Sequence, residues 1–409
     1  MLRLGSHLLA TKTVPHAVRF IDLTLELGPP EAMASITETP QFVHIVDEHS
    51  ATAFSEGHQS GKDREPTNLL QKTSAISTVS QIEDDSSATS DTSSETHSYK
   101  VPPSGVWTPA ITFFDQETEE INEESQAKYY SYLSKTGLAG LVVLGTNAET
   151  FLLTRDERKR LVEIAREACG PNFPIMAGVS GHSTKQVLNY IGDAAEAGAD
   201  YVLLLPPAYF GKQTTPAVID NFYNEVATKS PLPIVIYNLP MVCNGIDLDS
   251  ATMVRLAKAH DNIVGVKLTC GAVAKIIRLS AELGSERFAT FGGQSDFLLG
   301  AMASGAAGTI CGFGNVFPRT IVKIYDLWKG GKLQEAMELH QKAAIAEQAC
   351  KAGIATVKYA AGITTAKAAG IASASEQLKP RRPYLEPSEK EKRSIEAYIE
   401  DLARIEASL

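Results

Sequence analysis

Ile263-Val264-Gly265-Val266-Lys267-Leu268 is apolar almost throughout and carries a single lysine near its end. A strand with one face in water alternates apolar and polar residues, whereas a parallel strand covered on both faces is continuously apolar. The run therefore predicts a buried parallel strand. The same reading applies to Val106–Phe114, Gly140–Gly145, Pro174–Val179, Tyr201–Pro206, Pro233–Asn238, Phe288–Gly293 and Gly308–Gly314. Between these runs lie stretches of helical periodicity with start signals. Thr154-Arg155-Asp156-Glu157 supplies a cap and first-turn acids, and Asp249-Ser250 precedes Met253, Leu256 and Ala257.

Eight alternations of strand and helix predict a closed (β/α)8 TIM barrel, class α/β. An open, doubly wound sheet is the rival topology. It normally carries a Gly-rich loop after its first strand, whereas here that strand leads into Thr112-Phe113-Phe114-Asp115-Gln116. The barrel is expected over 101–318, followed by a helical region over 319–409 packed on it. In such barrels the reacting groups sit at the C-terminal ends of the strands.

That rule singles out Lys267. An ammonium in an apolar run with no partner carboxylate in sight is costly. Burial disfavours the charged form of such an amine and favours the neutral one, which seeks carbonyl carbons. About thirty residues upstream, Pro233-Ile234-Val235-Ile236 ends in Tyr237-Asn238-Leu239-Pro240, so a tyrosine at similar depth on the neighbouring strand is placed to move protons. Taken singly, Lys267 is more often a strand-end lysine snorkelling to water, and Tyr237 a rim tyrosine. Together they point to Schiff-base chemistry. After the second strand, Gly145-Thr146-Asn147-Ala148-Glu149 fits a nest of backbone N–H groups for a carboxylate, or an ordinary turn capping the next helix.

Composition narrows the function classes. Residues 1–100 hold 7 Lys+Arg and 14 Asp+Glu of totals of 38 and 48, which leaves 31 and 34 for the rest. The remainder is nearly balanced and shows no basic stripe for nucleic acid. From Thr73 to Ser98 about half the residues are Ser or Thr, interspersed with acids and lacking aromatics, so residues 1–100 are expected to be a disordered acidic extension. The first 21 residues, with Arg3, Lys12 and Arg19 and no acid, fit either a mitochondrial presequence or a poorly ordered start. The expected compartment is the mitochondrial matrix or the cytoplasm, not the secretory route. Cys169, Cys243, Cys270, Cys311 and Cys350 are widely spaced and odd in number, which fits a reducing compartment better than a disulfide framework or a zinc site. No apolar run reaches the roughly 20 residues needed to cross a bilayer.

Gly145-Thr146-Asn147-Ala148-Glu149, Tyr237-Asn238-Leu239-Pro240 and Gly265-Val266-Lys267 resemble the three signatures of the dihydrodipicolinate synthase / N-acetylneuraminate lyase superfamily of class I pyruvate aldolases. The resemblance spans about 106–387 and includes Arg382-Pro383-Tyr384-Leu385. It implies that Lys267 forms an imine with the keto carbon of pyruvate and that Tyr237 relays protons. It further implies that Thr146 and Asn147 hold the pyruvate carboxylate, with Thr269 and Ile310 also in contact with substrate. Tyr209 matches a tyrosine that a neighbouring subunit lends to complete the relay, so a homodimer or homotetramer is implied. No cofactor and no metal are required, because a protonated imine is itself the electron sink.

Departures from the pattern bear on the substrate. The synthase branch carries an arginine shortly after Y-N-x-P, where this chain reads Met241-Val242-Cys243-Asn244-Gly245. Asn147 and Thr269 are instead similar to the 4-hydroxy-2-oxoglutarate aldolase branch, and the segment after the fifth strand is similar to fungal aldolases of 2-keto-3-deoxy sugar acids. Ala148 stands at the usual loop glycine, where a positive φ would cost an alanine about 1 kcal/mol. The expected function is thus reversible cleavage of a 4-hydroxy-2-keto acid to pyruvate and an aldehyde. The alternatives are condensation of pyruvate with aspartate semialdehyde and, in another class, a non-catalytic barrel that binds keto acids or a partner.

Overall fold

The computed structural model describes residues 99–409. The readings made above for residues 1–98, the acidic extension and the presequence, lie outside the described residues.

Eight parallel strands close on themselves in chain order. They are β1 (Gly105–Pro109), β2 (Gly140–Val143), β3 (Ile175–Gly178), β4 (Tyr201–Leu204), β5 (Ile234–Asn238), β6 (Ile263–Leu268), β7 (Ala289–Gly292) and β8 (Gly308–Ile310). The helices that follow them are α1 (Glu123–Leu133), α2 (Arg155–Cys169), α3 (Thr184–Glu196), α4 (Pro216–Lys229), α5 (Ser250–Ala259), α6 (Val273–Leu283), α7 (Leu298–Ala303) and α8 (Pro318–Lys329). Every strand residue is buried, as the continuously apolar runs require. Two cores result. The larger lies between strands and helices, and the smaller fills the lumen with Trp107, Val142, Met176, Tyr201, Val235 and Phe291. Trp107 meets Tyr201 and Phe291 edge-on at 6.2 and 6.3 Å, so the barrel is plugged rather than hollow.

Start signals act as the sequence predicts. Thr154 and Glu157 form a reciprocal capping box on α2, and Asp249 accepts from Thr252 N at the start of α5. The first and last strands are shorter than expected. Ala110–Phe114 leaves the sheet, and Gln126 of α1 serves its backbone by accepting from Phe113 N at 2.9 Å and donating to Ile111 O at 3.1 Å. These residues are apolar because they pack beneath α1, not because they pair. Residues 312–315 likewise form a 3-10 turn beyond β8.

Five further helices follow, α9 (Leu333–Glu347), α10 (Ile354–Ile363), α11 (Thr365–Ala368), α12 (Ala374–Gln377) and α13 (Glu389–Ser408). They pack on the barrel in two ways that matter for the cleft. Glu406 of α13 accepts from Arg319 N and Thr320 N at 3.0 and 2.7 Å, capping the orphan donors of α8. The α9–α10 connection meanwhile runs over the C-terminal ends of the strands.

Candidate active site

The site begins with a register shift. Ile234 pairs with Ile263, but Val235 pairs with Gly265, so β6 spends one extra residue against β5. Strict alternation would put Ile263 and Lys267 on the same face. Instead Ile263 packs outward under the helices, Val264 packs in the lumen with Val235, and Lys267 faces inward opposite Tyr237. Gly265 makes the shift possible, because a Cβ there would lie 2.6 Å from the Ala289 carbonyl oxygen of β7.

Lys267 is 3 % exposed, and its Nζ lies 4.3 Å from the centroid of the Tyr237 ring. Among the described residues it has no carboxylate partner. Both side chains line one cleft of about 220 Å³ at the C-terminal ends of the strands, together with Thr146, Asn147 and Thr269. Thr146–Ala148 is a 3-10 turn following β2. Neither the Thr146 nor the Asn147 amide donates to another described residue, so both remain available to an anion. Thr269 follows β6, its Oγ1 buried without a partner. Gly293 allows this approach, since a Cβ there would sit 2.0 Å from that hydroxyl.

Two predicted residues stand apart. Ile310 of β8 is buried in the lumen core and is not in the cleft lining, which on this side comes from Gly312 and Phe313 of the following turn. Tyr209, after β4, is 73 % exposed and does not line its own cleft. It sits instead in an aromatic row, 5.8 Å from His182 and 5.3 Å from Phe210, with Phe151 stacked on His182 at 5.7 Å.

The strain expected at Ala148 is absent. The left-handed residues flanking this turn are Leu144 (φ 64°) and Glu149 (φ 58°), and Ala148 is not among the positive-φ positions. The Ala148 carbonyl accepts from Thr112 Oγ1 at 2.9 Å. Glu149 ties the turn down from beneath, its Oε1 2.6 Å from Nζ of the fully buried Lys358 on α10 and its Oε2 accepting from Arg381 N at 2.8 Å. Burial pushes the Lys358 ammonium down to about 8, against the attraction of Glu149. Asn238 supports the opposite side of the cleft, donating to Asp247 at 2.7 Å and accepting from Leu248 N at 3.0 Å.

The strand-end rule selects Gly292-Gly293-Gln294 after the seventh strand, but sequence reasoning missed the rest of that wall of the cleft. Gln294 after β7, Glu347 at the end of α9, and Lys351, Gly353, Ile354 and Val357 of the α9–α10 connection and α10 line the same cleft as Lys267. Glu347 and Lys351 stand four residues apart, a helical spacing that carried no sign of the barrel mouth. Among the described residues no cluster of His, Cys, Asp and Glu has a metal-holding arrangement. No helix there is long and apolar enough to cross a membrane.

The sequence profile of the Dihydrodipicolinate synthetase family matches residues 102–402. A Coccidioides immitis protein, assigned by name only as a mitochondrial 4-hydroxy-2-oxoglutarate aldolase, is 59 % identical over 310 residues, covering 76 % of this chain and 99 % of its own. An L-threo-3-deoxy-hexylosonate aldolase of Aspergillus niger is 32 % identical over 337 residues, covering 75 % of this chain and 96 % of its own. A crystal structure from Coccidioides immitis, assigned to the dihydrodipicolinate synthase family, superposes with a TM-score of 0.73 at 57 % identity, over 76 % of this chain and 98 % of that one.

Proposed function

This chain belongs to the dihydrodipicolinate synthetase family, and from that membership and the cleft geometry we propose that it is a class I aldolase releasing pyruvate from a 4-hydroxy-2-keto acid. The observation that carries the reading is the pairing of Lys267 with Tyr237 on adjacent strands, both facing one cleft. The Lys267 amine adds to the C2 carbonyl and, with one proton taken up from solvent, water leaves, giving a protonated imine. Tyr237, its own phenolic proton passed on through the relay, takes the proton of the C4 hydroxyl while the C3–C4 bond breaks. Its electron pair passes into the imine, which becomes a neutral enamine, and the aldehyde departs. A proton returned to C3 and hydrolysis of the imine release pyruvate and restore the amine. The free amides of Thr146 and Asn147 hold the substrate carboxylate, and Thr269 donates or accepts beside it.

The loop after Pro240 supports cleavage over condensation with aspartate semialdehyde. It contributes Met241 and Val242 to the cleft, which offer no charge to a second substrate's carboxylate. Borohydride reduction in the presence of pyruvate, followed by peptide mass spectrometry, tests the proposal. A pyruvate-derived adduct on Lys267 is expected. A folded protein with no adduct would falsify the aldolase reading and leave a keto-acid-binding barrel.

A second copy of the chain completes the proposed site. Tyr209, Phe210, Phe151 and Met241 expose aromatic and apolar surface beside the cleft mouth, more than a solitary barrel is expected to leave in water. A homodimer built on this face, or a tetramer containing it, brings each Tyr209 toward the other copy's cleft. The mitochondrial matrix is the proposed compartment, supported by the name of the Coccidioides relative and by an acid-free stretch at 1–21 that holds Arg3, Lys12 and Arg19.

A further inference from the structure

We propose that Glu347 is the acid that returns a proton to C3 of the enamine, a step separate from the proton transfer at Tyr237. The inference rests on the aldolase reading and names the donor for a step whose proton source is otherwise unassigned.

Strand order places the two groups on opposite flanks of the imine. Lys267 lies near the end of β6, between β5, which carries Tyr237, and β7. Glu347 ends α9 and is fastened to the β7 side, where Ser295 Oγ donates to its Oε2 at 2.6 Å. Ser295 is fixed in turn, its carbonyl accepting from His340 Nε2 at 2.7 Å. Lys267, Tyr237 and Glu347 all line the same cleft of about 220 Å³. Because C3 is the atom next to the imine carbon, a substrate tethered to Lys267 holds C3 within that small space.

The charges leave Glu347 a proton to give. Lys351 Nζ lies 2.6 Å from Asp296 and 3.2 Å from Glu347, a single ammonium between a pair of carboxylates. The Asp296 side chain is 26 % exposed and that of Glu347 only 6 %, so water supports charge on the first and not on the second. Burial accordingly holds the Glu347 carboxyl above the usual carboxylate range, against the pull of Lys351 and Ser295. The neighbouring thiols add no charge, since burial pushes Cys311 and Cys350 up to about 12. With Oε2 held by Ser295, Oε1 carries the proton. A buried carboxyl of this kind is suited to moving a proton at a carbon next to a carbonyl or imine.

The step balances. The C2–C3 π pair of the enamine forms the new C3–H bond with the Glu347 proton. The nitrogen lone pair restores the imine double bond, and Glu347 is left as a carboxylate. Tyr237 has by then gained the C4 hydroxyl proton, and exchange with water returns both groups to their starting states.

On pyruvate alone, the reverse of this step removes a methyl proton, so deuterium enters from D2O with no aldehyde present. Proton NMR of the pyruvate methyl group follows that exchange with the full chain, and borohydride trapping reports the imine separately. Glu347→Gln, which keeps the shape of the side chain, is expected to slow exchange about 10²-fold or more while trapping imine as the wild type does. Glu347→Asp retains a carboxyl and is expected to recover part of the rate. Tyr237→Phe is expected to keep exchange while losing cleavage. Unchanged exchange in Glu347→Gln overturns the assignment. So does slowing that only matches a loss of imine, or an equal loss of exchange in Tyr237→Phe. Wild-type exchange that is insensitive to Glu347→Gln refutes the role of Glu347 alone, whereas a wild type showing neither adduct nor exchange refutes the aldolase reading with it.

Discussion

At the scale of single residues, the division of labour between Lys267 and Tyr237 is open to direct measurement. The lysine needs only its own amine to add to a keto carbon, whereas bond cleavage needs the tyrosine to take a proton. Tyr237→Phe is therefore expected to retain borohydride-trappable imine while turnover falls about 10²–10⁴-fold. Single-turnover kinetics beside mass spectrometry of the trapped enzyme would show this split, and equal loss of both steps would contradict it. The lysine and the tyrosine were legible in sequence because each ends an apolar run at the depth where barrels place reactive groups. Ala148 was misread for an equally local reason. The departure from glycine was visible, but the left-handed conformation belongs to Glu149, and no spacing rule says which residue of a tight turn takes it.

At the scale of elements, β6 and the turn after β2 are where geometry is enforced. Gly265→Ala places a methyl group against the Ala289 carbonyl and forces β6 away from β7. Slower imine trapping together with a lower Tm is expected. An unchanged trapping rate would mean that the register shift does not set the position of Lys267. Lys358 and Glu149 anchor the other element. Lys358→Met leaves a buried carboxylate unpaired and is expected to destabilise by about 3–5 kcal/mol, more than the double variant Lys358→Met/Glu149→Gln. The pH dependence has a definite sign. The folded-state value of about 8 lies below the ordinary lysine value of 10.5, so between these limits the unfolded chain binds the extra proton. The cost of burying this charge is full below pH 8 and is relieved above it, and the group's contribution to stability rises with pH. Urea midpoints from pH 7.5 to 10 should move in favour of the wild type relative to the double variant. Strand positions were readable to within a few residues. The errors at 110–114 and 311–314 arose because burial makes a segment apolar whether or not it pairs in a sheet.

At the scale of the whole molecule, the cleft as one chain builds it is incomplete on the proposed reading. Tyr209 projects from the surface in an aromatic row with His182 and Phe210 and does not line the cleft that holds its own Lys267. Mixing Lys267→Ala protein with Tyr209→Phe protein, each nearly inactive alone, is expected to restore activity as subunits exchange. Such hybrids contain one site with both residues intact. No recovery, with exchange demonstrated by sedimentation of differently tagged chains, would place Tyr209 outside the relay.

Sequence alone determined the barrel, the order of its strands, the strand-end lysine and tyrosine, and the small-residue turn after β2. Those features are written in patterns a few residues long, namely continuous apolarity, capping boxes and helical period. Tertiary structure decided the rest. The inward face of Lys267 depends on one extra residue in β6, whose trace in the sequence is a glycine with a carbonyl pressed against it. The polar wall joins Gln294 to Glu347 and Lys351 from the helices beyond the barrel, and no periodicity connects residues more than fifty positions apart. Only the docking of α9 and α10 over the strand ends brings their charges to the cleft. There, Asp296 and Glu347 pair with Lys351, a contact that no sequence pattern announces.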